Sequence, residues 1–170
     1  RESNLLKEAA VISVGKIKSG LRFNIIPESA EIIGTIRTLD YDMRDLIEKR
    51  MNEMVPAIAQ AFGGSAEIEI TEMTDITYND ADLVAQMLPT LQTALGTDNV
   101  QLTKATTGAE DFSYFVREVP GFFFFLGGMT PGNTTPYPHH TPDFKIDESG
   151  MIHGVKVLTQ LSIDYLNAKS

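Results

Sequence analysis

The sequence contains no cysteine, which excludes disulfides, thiol catalysis and thiolate metal ligands among its 170 residues. That absence leaves the redox compartment, and with it the localisation, open. Long apolar runs are missing too, because none approaches the roughly 20 residues that a membrane-spanning helix needs. We therefore expect a protein without a membrane partner.

Positive charge is also scarce. The chain has 14 lysines and arginines against 23 aspartates and glutamates, which leaves a formal charge of -9. Nucleic-acid binding depends on clustered basic residues that displace counterions from phosphates. We therefore expect no nucleic-acid partner, and instead a small molecule or another protein.

The first residues, Arg1–Asn4, contain neither an initiator methionine nor an apolar leader, and a strand-like run follows almost at once. We expect the chain to begin within a longer protein, so that a signal peptide could have preceded it. The length and the 42% hydrophobic content suffice for one ordinary domain or two small ones.

Residues 1–72 predict a small sheet with one helix on a face, an α+β arrangement. Apolar residues at helical spacing after Asp40 and Asp42 predict a helix that Gly63 ends, and Pro56 should kink or split it. Runs rich in Val and Ile predict strands. The predicted elements are strands Glu8–Lys18, Leu21–Ile26 and Ala30–Thr38, a helix ending at Phe62, and strand Ala66–Glu72.

Residues 73–79 predict a linker, and residues 80–170 alternate helices with short buried strands, the pattern of an α/β domain. The run Gly121–Gly127 is apolar on both faces, as expected of a central strand between helices. Asp147 should cap a last helix. We expect its apolar positions to face a core, namely Ile152, Val155, Leu158, Leu161, Tyr165 and Leu166. The other predicted elements are helix Asp80–Leu95, strand Asn99–Leu102 and helix Glu110–Arg117.

Two adjacent histidines occupy a stiff loop, YPHHTPDF, at residues 137–144. Pro138 and Pro142 restrict its backbone, and it follows a predicted buried strand, where α/β sheets place their ligands. Neutral imidazole is a preferred zinc ligand. His139 and His140 are therefore candidate metal ligands, although ordinary polar loop residues would explain the spacing equally well.

A metal site needs three or four protein ligands. The sequence has no H-x-E or H-E-x-x-H pair that would complete one. The remaining ligands would be scattered carboxylates, or they would lie outside these residues.

A second candidate site is TTGAEDFS, residues 106–113, in which Glu110 and Asp111 stand at a predicted helix N-terminus. Acids there meet the positive end of the helix dipole. Capping is the commoner explanation of such a pair, and catalysis is the alternative.

A third candidate pair, Asn24 and Arg37, lies on two neighbouring predicted strands. Arg37 follows the largely apolar run Ile32–Ile36. It either lies in solvent, the commoner outcome for a strand arginine, or binds an anion, since guanidinium holds a carboxylate in a bidentate fork.

Three stretches match one known family in order and spacing. They are NIIPESAEIIGTIRT from Asn24, TTGAEDFSYF from Thr106 together with PGFFFFLGG from Pro120, and HHTPDFKIDE from His139. Together they resemble successive signatures of the zinc-dependent amidohydrolases that include hippurate hydrolase, auxin-conjugate hydrolases, aminoacylases and glutamate carboxypeptidase. The resemblance covers nearly the whole chain and is closest to the hippurate and auxin-conjugate branch.

The resemblance implies a two-domain enzyme in which a smaller lid domain interrupts a catalytic α/β domain and mediates homodimerisation. Residues 1–72 would be the latter part of the lid, an incomplete ferredoxin-like sheet with a helix. Residues 80–170 would be the C-terminal segment of a zinc-exopeptidase-type α/β domain.

By the same resemblance, His140 aligns with a metal ligand, and Asn24 and Arg37 align with lid residues that contact the substrate's carboxylate or the reacting amide. Glu110 and Asp111 would lie beside the catalytic site. The resemblance further implies Zn²⁺ or Mn²⁺, dinuclear in the complete enzyme. The substrate would be an N-acyl amino acid or a small peptide.

The family's Cys-Gly-His and Glu-Glu signatures, which supply the other ligands and the general base, do not occur in these residues. We therefore expect the chain alone to be unable to catalyse hydrolysis. The alternative is a non-catalytic module that pairs with a copy of itself, because the one-faced strand Ala66–Glu72 could present a free edge.

Overall fold

The structure, a computed structural model, describes residues 10–169. Strands and helices occur in one chain, which confirms the predicted mixed α/β class. Between residues 10 and 169, no helix is both long enough and apolar enough to cross a membrane. The strands and α-helices are, in chain order, β1 (Ala10–Ser19), β2 (Ala30–Thr38), α1 (Tyr41–Ala61), α2 (Ala81–Leu95), α3 (Phe112–Glu118) and α4 (Met151–Lys169).

The chain divides into two compact units. The first unit comprises the chain up to Thr77 together with Lys104–Tyr114, and it contains the sheet and α1. The second unit comprises Tyr78–Thr103 and the chain from Phe115 onward, and it contains α2 and α4. Each unit has buried apolar side chains of its own, and each is described separately below.

The sheet of the first unit is an antiparallel hairpin of β1 and β2. Both strands are rich in Val and Ile, which fit a pleated surface. Arg37 pairs with Val11, and Ile17 pairs with Ile32. The register shifts between Val14 and Lys16, so one extra residue bulges from β1 at Gly15.

The predicted three-stranded meander is wrong, because Leu21–Ile26 is part of the connection between β1 and β2 rather than a strand. The amide of Ile25 donates to the Arg22 carbonyl oxygen at 3.3 Å, which closes a turn there. Alternating apolar residues in this segment satisfied the strand pattern, yet they lie in solvent. The strand predicted from Glu8 begins at Ala10, and its first two predicted residues lie outside the described part of the chain.

Helix α1 begins after Asp40, one of the two residues predicted as its cap, while Asp42 lies in the first turn. The Asp40 side chain accepts a hydrogen bond from the Met43 amide at 2.8 Å, which satisfies a donor of the first turn. Met43 and Ile47 are buried, and α1 contacts β2. The helix continues past Pro56 to Ala61, so the predicted possibility of a split at this proline is wrong.

Other predicted strands are not strands among the described residues. Periodicity indicates which residues favour an extended, half-buried chain, but a strand also needs a neighbour with which its backbone can pair. At Phe123 the partner is a side chain, because Asn79 exchanges two hydrogen bonds with the Phe123 backbone at 2.8 and 2.6 Å. The strands predicted wrongly are Ala66–Glu72, Asn99–Leu102 and the central strand Gly121–Gly127.

Helices α2 and α4 pack against each other in the second unit. Leu91 of α2 and Val157 of α4 are buried. Thr90 Oγ1 donates to Asp164 Oδ2 at 2.7 Å, and Gln160 Nε2 donates to Asp164 Oδ1 at 2.8 Å. The hydrogen bonds from Thr90 and then Gln160 lower the pKa of Asp164, because they favour the ionised carboxylate. The helix pair is thus joined by apolar contact and by a hydrogen-bonded carboxylate.

The face of α4 that was predicted to meet a core is largely exposed. The buried side of the helix is instead centred on Val157, because α2 covers that side. The prediction is therefore wrong for the described residues. The exposed fractions are 66% for Ile152, 62% for Val155, 59% for Leu158, 39% for Tyr165 and 66% for Leu166, while Leu161 is half-buried.

Gly34 of β2 is the position in the hairpin that least tolerates a side chain. A Cβ atom there would lie well inside van der Waals contact with the Ser13 carbonyl oxygen, so the paired backbones would have to separate. We expect Gly34→Ala to lower the free energy of unfolding by about 1–3 kcal/mol, the usual cost of overpacking. Denaturant unfolding of the protein measures the change.

Gly15 provides the matched control in the same hairpin. A Cβ atom at Gly15 would lie 4.0 Å from the Ile33 carbonyl oxygen, an ordinary contact. Gly15→Ala should leave the unfolding midpoint close to that of the wild type. Equal losses of stability in the two variants would show that the close approach at Gly34 is not what limits substitution.

Candidate functional site

Arg37 connects two of the sequence motifs within the first unit. It lies near the end of β2 with an exposed side chain, and its Nη1 donates to the Thr107 carbonyl oxygen at 2.8 Å. The two residues are 70 positions apart. The guanidinium therefore stands beside the loop that leads to Glu110 and Asp111, which the sequence alone could not establish.

Glu110 and Asp111 immediately precede helix α3. The Glu110 carbonyl oxygen accepts from the Ser113 amide at 3.2 Å, and the Asp111 carbonyl oxygen accepts from the Tyr114 amide at 3.1 Å. Both acids thus stand at the start of the helix, as predicted, although the helix itself runs from Phe112 to Glu118. Glu110 is half-buried and Asp111 is exposed.

Ser113 holds this acidic turn in place, a role that sequence reasoning missed. Its side chain is fully buried. Its Oγ donates to the Glu110 carbonyl oxygen at 2.7 Å and accepts from the Asp75 amide at 3.1 Å. The neighbouring Tyr114 hydroxyl donates to the Met73 carbonyl oxygen at 2.9 Å. A serine within the apolar run FSYF was the available signal, because a buried hydroxyl requires partners.

Asn24 lies in the connection between β1 and β2, rather than on a strand as predicted. It is exposed and belongs to the same unit as Arg37. Its amide offers both a donor and an acceptor to solvent or a ligand. The first unit therefore contains four of the five predicted site residues: Asn24, Arg37, Glu110 and Asp111.

His140, the fifth predicted site residue, belongs to the second unit. It is exposed, and its backbone has a φ of 62°, in the left-handed region. The His139 and His140 ring centroids are 6.4 Å apart, and the His139 and Phe144 ring centroids are 4.8 Å apart with the rings tilted by 49°. Thr141 Oγ1 donates to the Pro138 carbonyl oxygen at 2.8 Å. The predicted stiff loop is thus a tightly bonded turn that presents its second imidazole.

A complete metal site does not form among residues 10–169, where no three His, Asp or Glu side chains cluster closely enough to hold an ion. His140 has the chemistry of a ligand, since an exposed imidazole can bind zinc or manganese, but it is one donor where three or four are needed. The described residues therefore fit a metal as a partial donor set.

The sequence matches the model of Peptidase family M20/M25/M40 over residues 2–164. It is 34% identical over 158 residues to thermostable carboxypeptidase 2 of Saccharolobus solfataricus, and the match covers 92% of this chain and 39% of that protein. It is also 34% identical over 151 residues to N-acetyldiaminopimelate deacetylase of Geobacillus sp. strain WCH70, covering 89% of this chain and 39% of that protein.

Solved structures agree with the sequence matches. The crystal structure of the Bacillus subtilis YXEP protein, a dinuclear metal binding peptidase from the M20 family, superposes with a TM-score of 0.72 at 26% identity. The superposition covers 93% of this chain and 42% of that one. The chain thus spans about two fifths of the length of each of these three relatives.

Proposed function

Because the chain belongs to peptidase family M20/M25/M40, we propose that it is part of a metal-dependent hydrolase that cleaves amide bonds. The family match over residues 2–164 carries the proposal, since it extends through both compact units. The names carboxypeptidase and N-acetyldiaminopimelate deacetylase share one chemistry, the hydrolysis of an amide bond. The activity belongs to the complete protein, and the described residues alone are inactive.

The proposed substrate is an N-acyl amino acid or a small peptide with a free carboxylate. Arg37 supports this class, because its guanidinium is exposed and carries five N–H donors, of which the bond to Thr107 uses one. A planar fork of donors matches a carboxylate. Asn24 would contact the carboxylate or the reacting amide with its own side-chain amide. Glu110 and Asp111 would line the site beside Arg37.

His140 is the proposed metal ligand. The bonded turn supports this role, because a side chain on a backbone that hydrogen bonds already hold loses less freedom when it binds a metal. The metal, Zn²⁺ or Mn²⁺, would when bound polarise the amide carbonyl and lower the pKa of water. A dinuclear relative is the precedent for further donors, and at least some of them would come from outside residues 10–169, where no three potential ligands cluster.

Replacing His140 tests the metal assignment. In the complete natural protein that contains this chain, we expect His140→Ala to lower the bound metal per protein and to abolish hydrolysis of N-acyl amino acids and dipeptides, because a ligand is lost. His153→Ala, on α4, is the matched histidine control and should retain both. Metal content by elemental analysis, and activity after chelation and metal return, measure the outcome. Unchanged metal content in His140→Ala would refute the assignment.

Replacing Arg37 tests the carboxylate contact. A hydrogen bond to a charged group is worth about 1.5–3 kcal/mol, so Arg37→Ala should raise KM roughly tenfold or more and change kcat less. Arg50→Ala, which removes an exposed arginine from α1, is the matched control.

A second substrate makes the Arg37 measurement specific. Against an analogue whose carboxylate is converted to an amide, Arg37→Ala and wild type should have similar KM values. A KM that rises equally for both substrates would show that Arg37 acts on the loop at Thr107 rather than on the carboxylate.

The first unit also supports a proposed homodimer. Ile12, Val14, Ile17 and Ile32 of the hairpin are exposed, and exposed apolar patches mark contact surfaces. Sedimentation of the complete natural protein should show a dimer that Ile17→Lys weakens. Ile152→Lys, at an exposed apolar position of the second unit, should leave the dimer intact. A wild-type protein that is monomeric at high concentration would exclude this interface, and with it the self-pairing module.

A further inference from the structure

His140 has an uncommon backbone conformation. Among residues 10–169 it is the one non-glycine residue with a positive φ, at 62°, whereas the other four residues with positive φ are glycines. The left-handed region brings Cβ close to the following carbonyl oxygen, so a side chain there is tolerated only when its surroundings hold it. Something in the loop must therefore favour this conformation at His140.

The surroundings consist of a four-residue turn from Pro138 to Thr141. His140 occupies its third position with a positive φ, a position at which turns that require a positive φ usually have glycine or asparagine. Thr141 Oγ1 donates to the Pro138 carbonyl oxygen at 2.8 Å, so the side chain of the last residue closes the turn onto the first. The hydrogen bond of the Thr141 hydroxyl thus closes a turn that contains both histidines.

Thr141 also connects this turn to the next one. Its carbonyl oxygen accepts from the Phe144 amide at 3.1 Å, and the following Pro142 disfavours a helical backbone at Thr141. The Phe144 ring in turn contacts the His139 ring in a tilted arrangement, with the ring centroids 4.8 Å apart. Thr141 therefore forms hydrogen bonds with Pro138, which precedes the two histidines, and with Phe144, which follows them. It is half-buried, whereas both histidines are exposed.

We infer that Thr141 is a positioning residue whose hydroxyl holds His140 in the left-handed conformation, so that its imidazole is presented in one orientation. The inference rests on the proposed function, in which that imidazole binds a metal. Thr141 acts through His140 and contributes no donor of its own to the metal. A hydroxyl that only stabilised the loop would affect melting, whereas a positioning hydroxyl affects metal affinity.

A pair of substitutions at Thr141 isolates the hydroxyl. Thr141→Val keeps the branched shape and removes the hydrogen bond, whereas Thr141→Ser keeps the hydrogen bond. In the complete natural protein, stripped of metal, Zn²⁺ affinity is measured by competition with a chelator. We expect Thr141→Val to weaken Zn²⁺ binding about tenfold or more, the usual effect of removing a group that orients a ligand, and Thr141→Ser to restore it.

Melting of the metal-free protein separates positioning from loop stability. The melting midpoint of Thr141→Val should change little relative to Thr141→Ser while the Zn²⁺ affinities differ. A Thr141→Val protein that melts lower but binds Zn²⁺ like the wild type would overturn the inference.

Substitutions at His140 keep the inference and the proposed function distinguishable. If His140→Ala abolishes Zn²⁺ binding at its site while Thr141→Val binds normally, the ligand assignment stands and the positioning role fails. If His140→Ala binds Zn²⁺ fully, the ligand assignment itself fails.

The backbone constraint has a metal-independent test. Both His140→Gly and His140→Ala remove the imidazole, but only glycine adopts a positive φ without a steric penalty. The metal-free His140→Gly protein should therefore melt above His140→Ala. A His140→Ala protein that melts as high as His140→Gly would show that the turn imposes no left-handed conformation, and it would overturn the inference.

Discussion

The first unit depends on hydrogen bonds between segments that are far apart in the sequence. Arg37 holds the Thr107 carbonyl oxygen, and Ser113 bridges the Glu110 carbonyl oxygen and the Asp75 amide. These bonds join segments 70 and 38 residues apart. Without them the acidic turn would have no defined place relative to the guanidinium, and the two motifs would share only their order in the sequence.

The helices were predictable because their signals are local. Asp40, one of two predicted caps, accepts an amide hydrogen bond three residues on, and Asp80 makes the same bond at the start of the predicted second helix. Strands depend on partners elsewhere in the chain. Ala66–Glu72 alternates as a strand should and remains unpaired among residues 10–169, and Asn79 takes the place of a neighbouring strand at Phe123. Pattern therefore predicted extended segments, but it could not predict their pairing.

The candidate site shows the same division. The resemblance selected Arg37, Glu110 and His140, and the first two stand beside the same loop. The need of Ser113 for hydrogen-bond partners had a signal in the sequence, but the partners themselves were not predictable, because a serine beside apolar residues does not reveal which backbone groups will surround it. The left-handed backbone at His140 was likewise not predictable from the sequence, since prolines indicate a stiff loop but not the sign of φ at a nearby residue.

Apolar periodicity predicts which face of a helix or strand should be buried, but it does not predict which part of the molecule packs against that face. Complete burial of a Val, Leu or Ile side chain is worth about 1.5–3 kcal/mol relative to exposure. Four exposed residues gain little of this free energy, since each is at least 62% exposed: Ile17 and Ile32 on the hairpin, and Ile152 and Val155 on α4. The apolar pattern therefore correctly identified these residues as hydrophobic, but it did not predict which of them are buried. Among the described residues, each element is covered on one side only.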